Sequence, residues 1–206
     1  MKIIKSIFLI AITTVIFTSC TDDSDSTTVP VVANVALNIY APVETDYTVN
    51  PPTEAGEFTK FSFSEGATVT GENWDIAFRG TSILVNGGTA IGLTDEPTRT
   101  GEAAISVETG TFASILEASA DTTFSQDAEG TYALTKGSGN GWYSYNSQTH
   151  IISPIAGKII VVKTHDGHYA KMEILSYYKD QDSSLDSGYY SFNFVYNPNA
   201  DDKSLE

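Results

Sequence analysis

KIIVVKTHDGHYAKMEILSYYK, Lys158 to Lys179, sets two runs of β-branched, aliphatic and aromatic residues on either side of Asp166-Gly167. An Asp-Gly pair in that setting predicts a two-residue β-hairpin turn, because both central positions require positive φ. Such a turn fixes the register, with His165 opposite His168, Lys163 opposite Ala170, Val161 opposite Met172 and Ile159 opposite Ile174. One face is then expected to run from two histidines to a methionine. The other, carrying Thr164, Tyr169, Val162, Lys171, Ile160 and Glu173, suits a half-solvated sheet surface. A plainer reading of the same residues leaves His165 and His168 at an exposed tip and lets Met172 fill core.

Outward from the hairpin the chain continues as short strands with turn punctuation. YYSFNFVYNP, Tyr189 to Pro198, alternates aromatics with small or polar residues and reads as a last strand. Upstream, the glycine-rich KGSGNG, Lys136 to Gly141, fits neither dinucleotide nor P-loop spacing and leads into the aromatic WYSYN instead of a helix. His150 follows in THIISP. Earlier still, Val35 to Ala41 and the Phe58, Phe61, Phe63 run predict strands. In ENWDIAFRG, Trp74, Ile76 and Phe78 alternate with Asp75, Ala77 and Arg79, which predicts one apolar and one polar face. Asn86-Gly87-Gly88 predicts a second hairpin joining Ser82–Val85 to Thr89–Leu93. The single predicted helix spans Thr111 to Ala120, with Phe112, Ile115, Leu116 and Ser119 at helical spacing behind Thr111 as N-cap. The expected fold class is all-β, an antiparallel sandwich or hairpin-rich sheet with at most one or two short helices.

The 206 residues suit one domain and a leader. Lys2 and Lys5, an uncharged apolar run from Ile7 to Phe17, and Thr18-Ser19 before Cys20 form the pattern of a secretory signal peptide. That run is too short for an ordinary transmembrane helix. Cys20 is the only cysteine in the chain, so no internal disulfide is open to it, and a signal ending in cysteine resembles the lipobox of bacterial lipoproteins. The expected organisation is a signal peptide over residues 1–19, a lipidated Cys20 with an acidic tether over 20–33, a β-rich domain over 34–200 and a frayed tail over 201–206. With 26 acidic against 11 basic residues and a net charge of −15, nucleic acid is excluded as a natural partner.

Little in the chain points to catalysis. No G-x-S-x-G or H-E-x-x-H occurs, and thiolate metal sites are excluded once Cys20 is lipidated. No enzyme is expected. Imidazole and thioether groups do ligate haem iron. Opposed residues in a hairpin have Cβ atoms about 4.5–5.5 Å apart, so His165 and His168 cannot both reach the two axial positions of one haem. A second ligand must come from His150 or Met172.

WDIAFR (Trp74 to Arg79), LVNGGT, GWYSYN with THIISP, and above all KTHDGHYAKMEILSYYK resemble the HmuY family of Bacteroidetes surface lipoproteins. The resemblance implies an all-β fold with a haem groove between projecting hairpins. It also implies a haemophore role, with haem taken up and passed to a TonB-dependent outer-membrane receptor, and a lipid-anchored position facing the cell surface. On chemistry and position, the haem-ligand candidates are His165, His168, His150 and Met172. Lys158, Lys163 and Lys171 are the candidates for propionate contact. The alternative is a non-haem binding or adhesion lipoprotein that engages a glycan or a protein through exposed aromatic side chains.

Overall fold

The computed structural model describes residues 28–206, so the signal sequence and Cys20 lie outside the described residues. Thirteen strands form its framework: β1 (Val32–Tyr40), β2 (Glu44–Asp46), β3 (Thr53–Ala55), β4 (Thr59–Ser62), β5 (Ala67–Val69), β6 (Ile76–Arg79), β7 (Ser82–Val85), β8 (Ala104–Thr109), β9 (Tyr143–Asn146), β10 (Ile151–Pro154), β11 (Lys158–Lys163), β12 (Tyr169–Tyr178) and β13 (Ser187–Asn197). All strand pairings are antiparallel. One sheet has the order β1-β13-β12-β11-β8 and a second the order β5-β4-β6-β7, while β9-β10 and β2-β3 are separate hairpins. The fold is the expected all-β one, and no described helix exceeds a single 3-10 turn.

The two larger sheets face each other across the main core. Phe61, Phe63, Ile76, Phe78, Ile83 and Val85 come from the smaller sheet and meet Ile160, Val162, Ala170, Met172, Phe192 and Phe194 from the larger. Phe61 sits edge-on to both Phe192 and Phe194, at centroid distances of 5.2 and 5.8 Å, the geometry aromatic quadrupoles favour. Each sheet is also covered on its outer side. Trp74, Ala77, Leu84 and Ile91 pack beyond the smaller sheet, and Ala118, Val161, Tyr169 and Leu205 beyond the larger. Both faces of β6 and β7 are therefore buried, and Trp74 lies on the opposite side from Ile76 and Phe78. The expected polar face of WDIAFR does not exist. Asp75 and Arg79 are themselves buried, with the Arg79 guanidinium bonded to the Gly56 and Thr94 carbonyls and stacked 4.2 Å from the Phe58 ring.

Three further expectations are corrected by this packing. Asn86-Gly87-Gly88 is not a hairpin turn; β7 pairs with β6 across Gly80-Thr81, and Thr89–Leu93 contains no strand. The glycines there answer to close backbone approach, since a Cβ on Gly87 would lie 2.0 Å from the Ala103 carbonyl oxygen. The helix over Thr111 to Ala120 reduces to a 3-10 turn at Phe112–Ser114. Beyond it the chain runs extended, because Ala118 must dock on the outer sheet face while Ala118 N–H bonds the Lys203 carbonyl. The C-terminal end does not fray: Leu205 is fully buried, its N–H bonds the Leu116 carbonyl, and Asn197 Nδ2 donates to the Ser204 carbonyl.

The loop after β7 is held by Glu96, whose carboxylate accepts from the N–H groups of Ile91, Gly92 and Leu93 at 2.9–3.0 Å and pairs with Arg99 at 2.6 Å. Burial opposes its ionisation, but the three N–H groups and Arg99 outweigh that and hold the carboxyl below its usual range. A lowered folded value means stability that is complete above the unfolded value near 4.5 and is lost as pH falls through the folded one. Glu96→Gln is expected to cost about 1–2 kcal/mol at neutral pH and to flatten the acid limb below pH ~4.5. Melting curves taken from neutral pH downward check both.

Candidate functional site

The β11–β12 hairpin ends in a three-residue loop, not two. Thr164 N–H bonds the His168 carbonyl at 2.8 Å, and Gly167, at φ +92°, donates to the Thr164 carbonyl at 3.1 Å. This is a type I turn closed by a left-handed glycine, the common three-residue hairpin. Pairing consequently slips by one from the expected register: Ile160 faces Met172, Val162 faces Ala170 and Lys163 faces Tyr169. A one-residue slip exchanges faces, so Met172 lies on the face with Ile160 and Val162, fully buried in the main core.

His165 is the best-organised polar side chain at this tip. Its backbone N–H and its Nδ1 both reach Asp75 Oδ1, at 2.9 and 2.8 Å, while Asp75 Oδ2 accepts the Phe63 N–H at 2.7 Å. Asp75 is 1% exposed and the His165 side chain 17%. The loop is clamped from behind as well. Glu102 N–H bonds the His165 carbonyl, and a Cβ on Gly101 would come within 2.6 Å of His165 Cβ. Gly101 is in turn placed by Asn86, a fully buried residue whose Oδ1 accepts from Thr100 and Gly101 N–H and whose Nδ2 donates to the Glu72 and Trp74 carbonyls.

His165 borders a groove of about 740 Å³ between the tip and the β4–β5 turn, where Ser62, Ser64 and Thr70 supply hydroxyls and Glu65, Glu72 and Asp166 supply carboxylates. A second groove of about 470 Å³ shares Ser64 and Glu65 and is lined also by Phe63, Phe194, Tyr196 and the exposed Val32 and Val35. Both volumes lie in the range of small-molecule sites. No lysine or arginine lines either. His168 stands beside the second groove, its ring 5.9 Å from that of Tyr196. Asp166 is 3.2 Å from His168 Nδ1 but off a hydrogen-bonding direction, so Nδ1 has no hydrogen-bond partner among the described residues. Burial and the nearby Asp166 and Asp75 carboxylates push the Tyr196 phenol up to about 12, so it stays a neutral hydroxyl.

The other candidates lie elsewhere. His150 is at the tip of β9–β10, with Nδ1 2.6 Å from the Tyr145 hydroxyl. That hairpin abuts the far end of β12, where Ile152 N–H bonds the Tyr178 hydroxyl. Ten residues of strand separate Tyr178 from His168, roughly 33 Å at the rise of an extended chain. His150 therefore cannot share one iron with the tip histidines. Lys171 is buried on the outer sheet face, its Nζ bonded to the Phe112 and Ile115 carbonyls, and burial lowers its ammonium below the usual range. Lys158 Nζ bonds the Asn140 and Gly141 carbonyls, and Lys163 lines a separate small groove with Asp121 and Gln126. None of the three lysines borders the His165 groove. Asp75 was not singled out from sequence, although an acid between Trp74 and Ile76, in a segment apolar on both sides, is the kind of signal that marks a committed buried carboxylate.

The chain belongs to the HmuY family: the family model described as HmuY protein matches residues 54–194. Among solved structures, a putative HmuY-like haem-binding protein of Bacteroides vulgatus is 15% identical over 69% of this chain and 86% of its own, with a TM-score of 0.46. The HmuY analogue of Tannerella forsythia is 13% identical over 84% of this chain and 100% of its own, with a TM-score of 0.48. A putative lipoprotein of Bacteroides fragilis is 13% identical over 69% and 85%, with a TM-score of 0.44. No curated protein matches at the sequence level.

Proposed function

We propose that the chain is a surface-anchored haem-binding lipoprotein, tethered through lipidated Cys20, that captures haem at the β11–β12 tip and passes it to an outer-membrane receptor. Family membership supports the reading, and one observation carries it: His165 is held through Nδ1 by a buried carboxylate while its Nε2 has no hydrogen-bond partner among the described residues, beside a groove of small-molecule size. Haem, when bound, supplies an iron atom that takes an imidazole nitrogen as axial ligand. His165 is the residue that would hold it. Met172 lies in the core and His150 at the far end, so the site offers one strong ligand, with His168 at its margin. With no cation in the groove lining, the anionic propionates are expected to face solvent.

The test is a titration of the chain with ferric and then reduced haem, followed in the visible spectrum. A saturable one-to-one shift with a high-spin, single-imidazole spectrum is expected. A change no greater than that of an inert control protein overturns the reading. One observation favours a second function in that event: hydroxyls and carboxylates dominate the lining of the larger groove, the donor and acceptor set that suits a neutral glycan. Glycan-array binding without any haem response is its signature.

A further inference from the structure

Independently of the haem reading, we propose that β1 is a self-association edge, pairing antiparallel with β1 of a second copy of this chain so that two five-stranded sheets join into one. β1 bonds β13 on one side, and its other edge has no strand partner among the described residues. A free edge presents unpaired N–H and C=O groups that template a further strand, and folds usually blunt it with charge, shortness or a bulge. Here the nine residues of β1 carry no charge, and the bulge comes late. Asn38, at φ +55°, breaks the register with β13 only after Ala36, which leaves Val32 to Ala36 as a regular, uncharged edge. The other sheet edges are protected: β8 carries Glu108, β5 is three residues long, and β7 is buried throughout.

The side chains of β1 are uncovered as well. Every residue from Val32 to Val35 is exposed, and because successive side chains alternate, both faces of the strand lie open. Val29, Val32, Val35, Leu37 and Tyr40 are each more than half exposed. Clustered apolar exposure marks a contact surface, whereas single exposed apolar residues are ordinary.

Charge selects the occupant. At a net charge of −15, two copies repel one another over most approaches. From Thr28 to Val43 the chain has no charged side chain, so like-charged copies can meet along β1 without setting carboxylates opposite each other. Two carboxylates lie off the strand: Glu65 shares the second groove with Val32 and Val35, and Asp180 bonds Asn38 beyond the bulge. Antiparallel pairing of a strand with its own copy is two-fold by construction, the isologous contact of a closed dimer. The preceding TDDSDST, Thr21 to Thr27, has three aspartates and no apolar side chain, and so offers nothing to match the exposed valines.

The full chain carrying Cys20→Ser, which removes the proposed lipidation site and the only native thiol, tests this in non-ionic detergent with micelles in excess. Sedimentation equilibrium is expected to show a reversible doubling of the protein mass as concentration rises. Val35→Lys is expected to raise the dissociation constant about tenfold or more, because like charges then meet across the two-fold axis. Val35 is exposed, and an unchanged melting midpoint verifies that the fold is intact. Opposed Cα atoms in an antiparallel pair lie about 4.5–5.5 Å apart, within disulfide reach. At least one of Ala33→Cys, Asn34→Cys and Val35→Cys is therefore expected to give a disulfide-linked dimer, while Tyr47→Cys, exposed between β2 and β3, stays monomeric. A monomer at every concentration overturns the proposal. A dimer that Val35→Lys leaves intact, or that Tyr47→Cys links as readily, places the contact on another face and also overturns it. Flotation with phosphatidylcholine vesicles that is lost in Val35→Lys, with no dimer formed, assigns the strand to a lipid surface and overturns it likewise.

Discussion

Asp127→Ala is expected to destabilise the protein by about 3–5 kcal/mol, the cost of removing one partner from a buried ion pair. Asp127 is 1% exposed, and its carboxylate accepts from Arg99 Nη2 at 2.7 Å, Val85 N–H at 3.0 Å and Ala133 N–H at 2.7 Å. Its backbone carbonyl takes Thr89 N–H at 2.9 Å. One residue thus ties the end of β7, the loop held by Glu96 and Arg99, and the segment after Gly130. Alanine keeps the backbone bond but leaves Arg99 Nη2 and two buried N–H groups without acceptors, while Arg99 Nη1 keeps Glu96, and each such orphaned group costs about 1–3 kcal/mol. Urea denaturation reads the effect as a lowered midpoint at unchanged slope. A midpoint unmoved by Asp127→Ala would show that solvent enters and rescues the orphaned groups.

That network also shows where the sequence was readable and where it was not. Alternation and turn residues identify the strands around Phe61, Ile76, Val161 and Phe192, and hence the all-β class, because each strand buries at least one face. They do not say how many faces are buried. In β6 and β7 both are, so Trp74 and Phe78 serve different clusters although their spacing assigns them to one side. Apolar spacing over 111–120 suits a helix locally, but docking of Ala118 against the outer sheet face overrides that preference. Asn86-Gly87 has the composition of a hairpin turn and instead acts as a clamp, a role visible only once Gly101 and Ala103 are seen to lie against it. At the β11–β12 hairpin the tip was legible and what packs against it was not. Asp-Gly marks the β11–β12 tip correctly, yet a third loop residue moves Met172 to the core and separates it from the histidines. Asp75 is ninety residues from His165 in the chain, and no local pattern connects them.

On the proposed haem reading, His165→Ala is expected to lower haem affinity by about 100-fold or more, since loss of the carboxylate that orients a metal-ligating imidazole typically costs 10–100-fold and this variant removes the proposed ligand itself. The fold should survive the change. Alanine retains the backbone N–H that bonds Asp75 Oδ1, Phe63 N–H still occupies Oδ2, and the loop beyond keeps its Thr164–His168 and Glu102 bonds. An unchanged melting midpoint in the haem-free protein verifies this, so that any loss of affinity can be assigned to the imidazole. The companion variants separate the hypotheses. His150→Ala should leave haem binding unaltered, because its ring is committed to Tyr145 at the opposite end of β12. Met172→Leu should do the same, as a volume-conserving change in a dry core. His168→Ala should have an intermediate effect, since its ring is 22% exposed beside Tyr196, at the margin of the grooves. If instead His150→Ala abolishes binding and His165→Ala does not, the ligand assignment falls and the β9–β10 hairpin becomes the haem-holding element. If all three histidine variants bind as the unsubstituted chain does, the iron has no imidazole ligand. Haem would then be held only by its apolar surface, for which the Phe63, Phe194 and Tyr196 groove is the one suited.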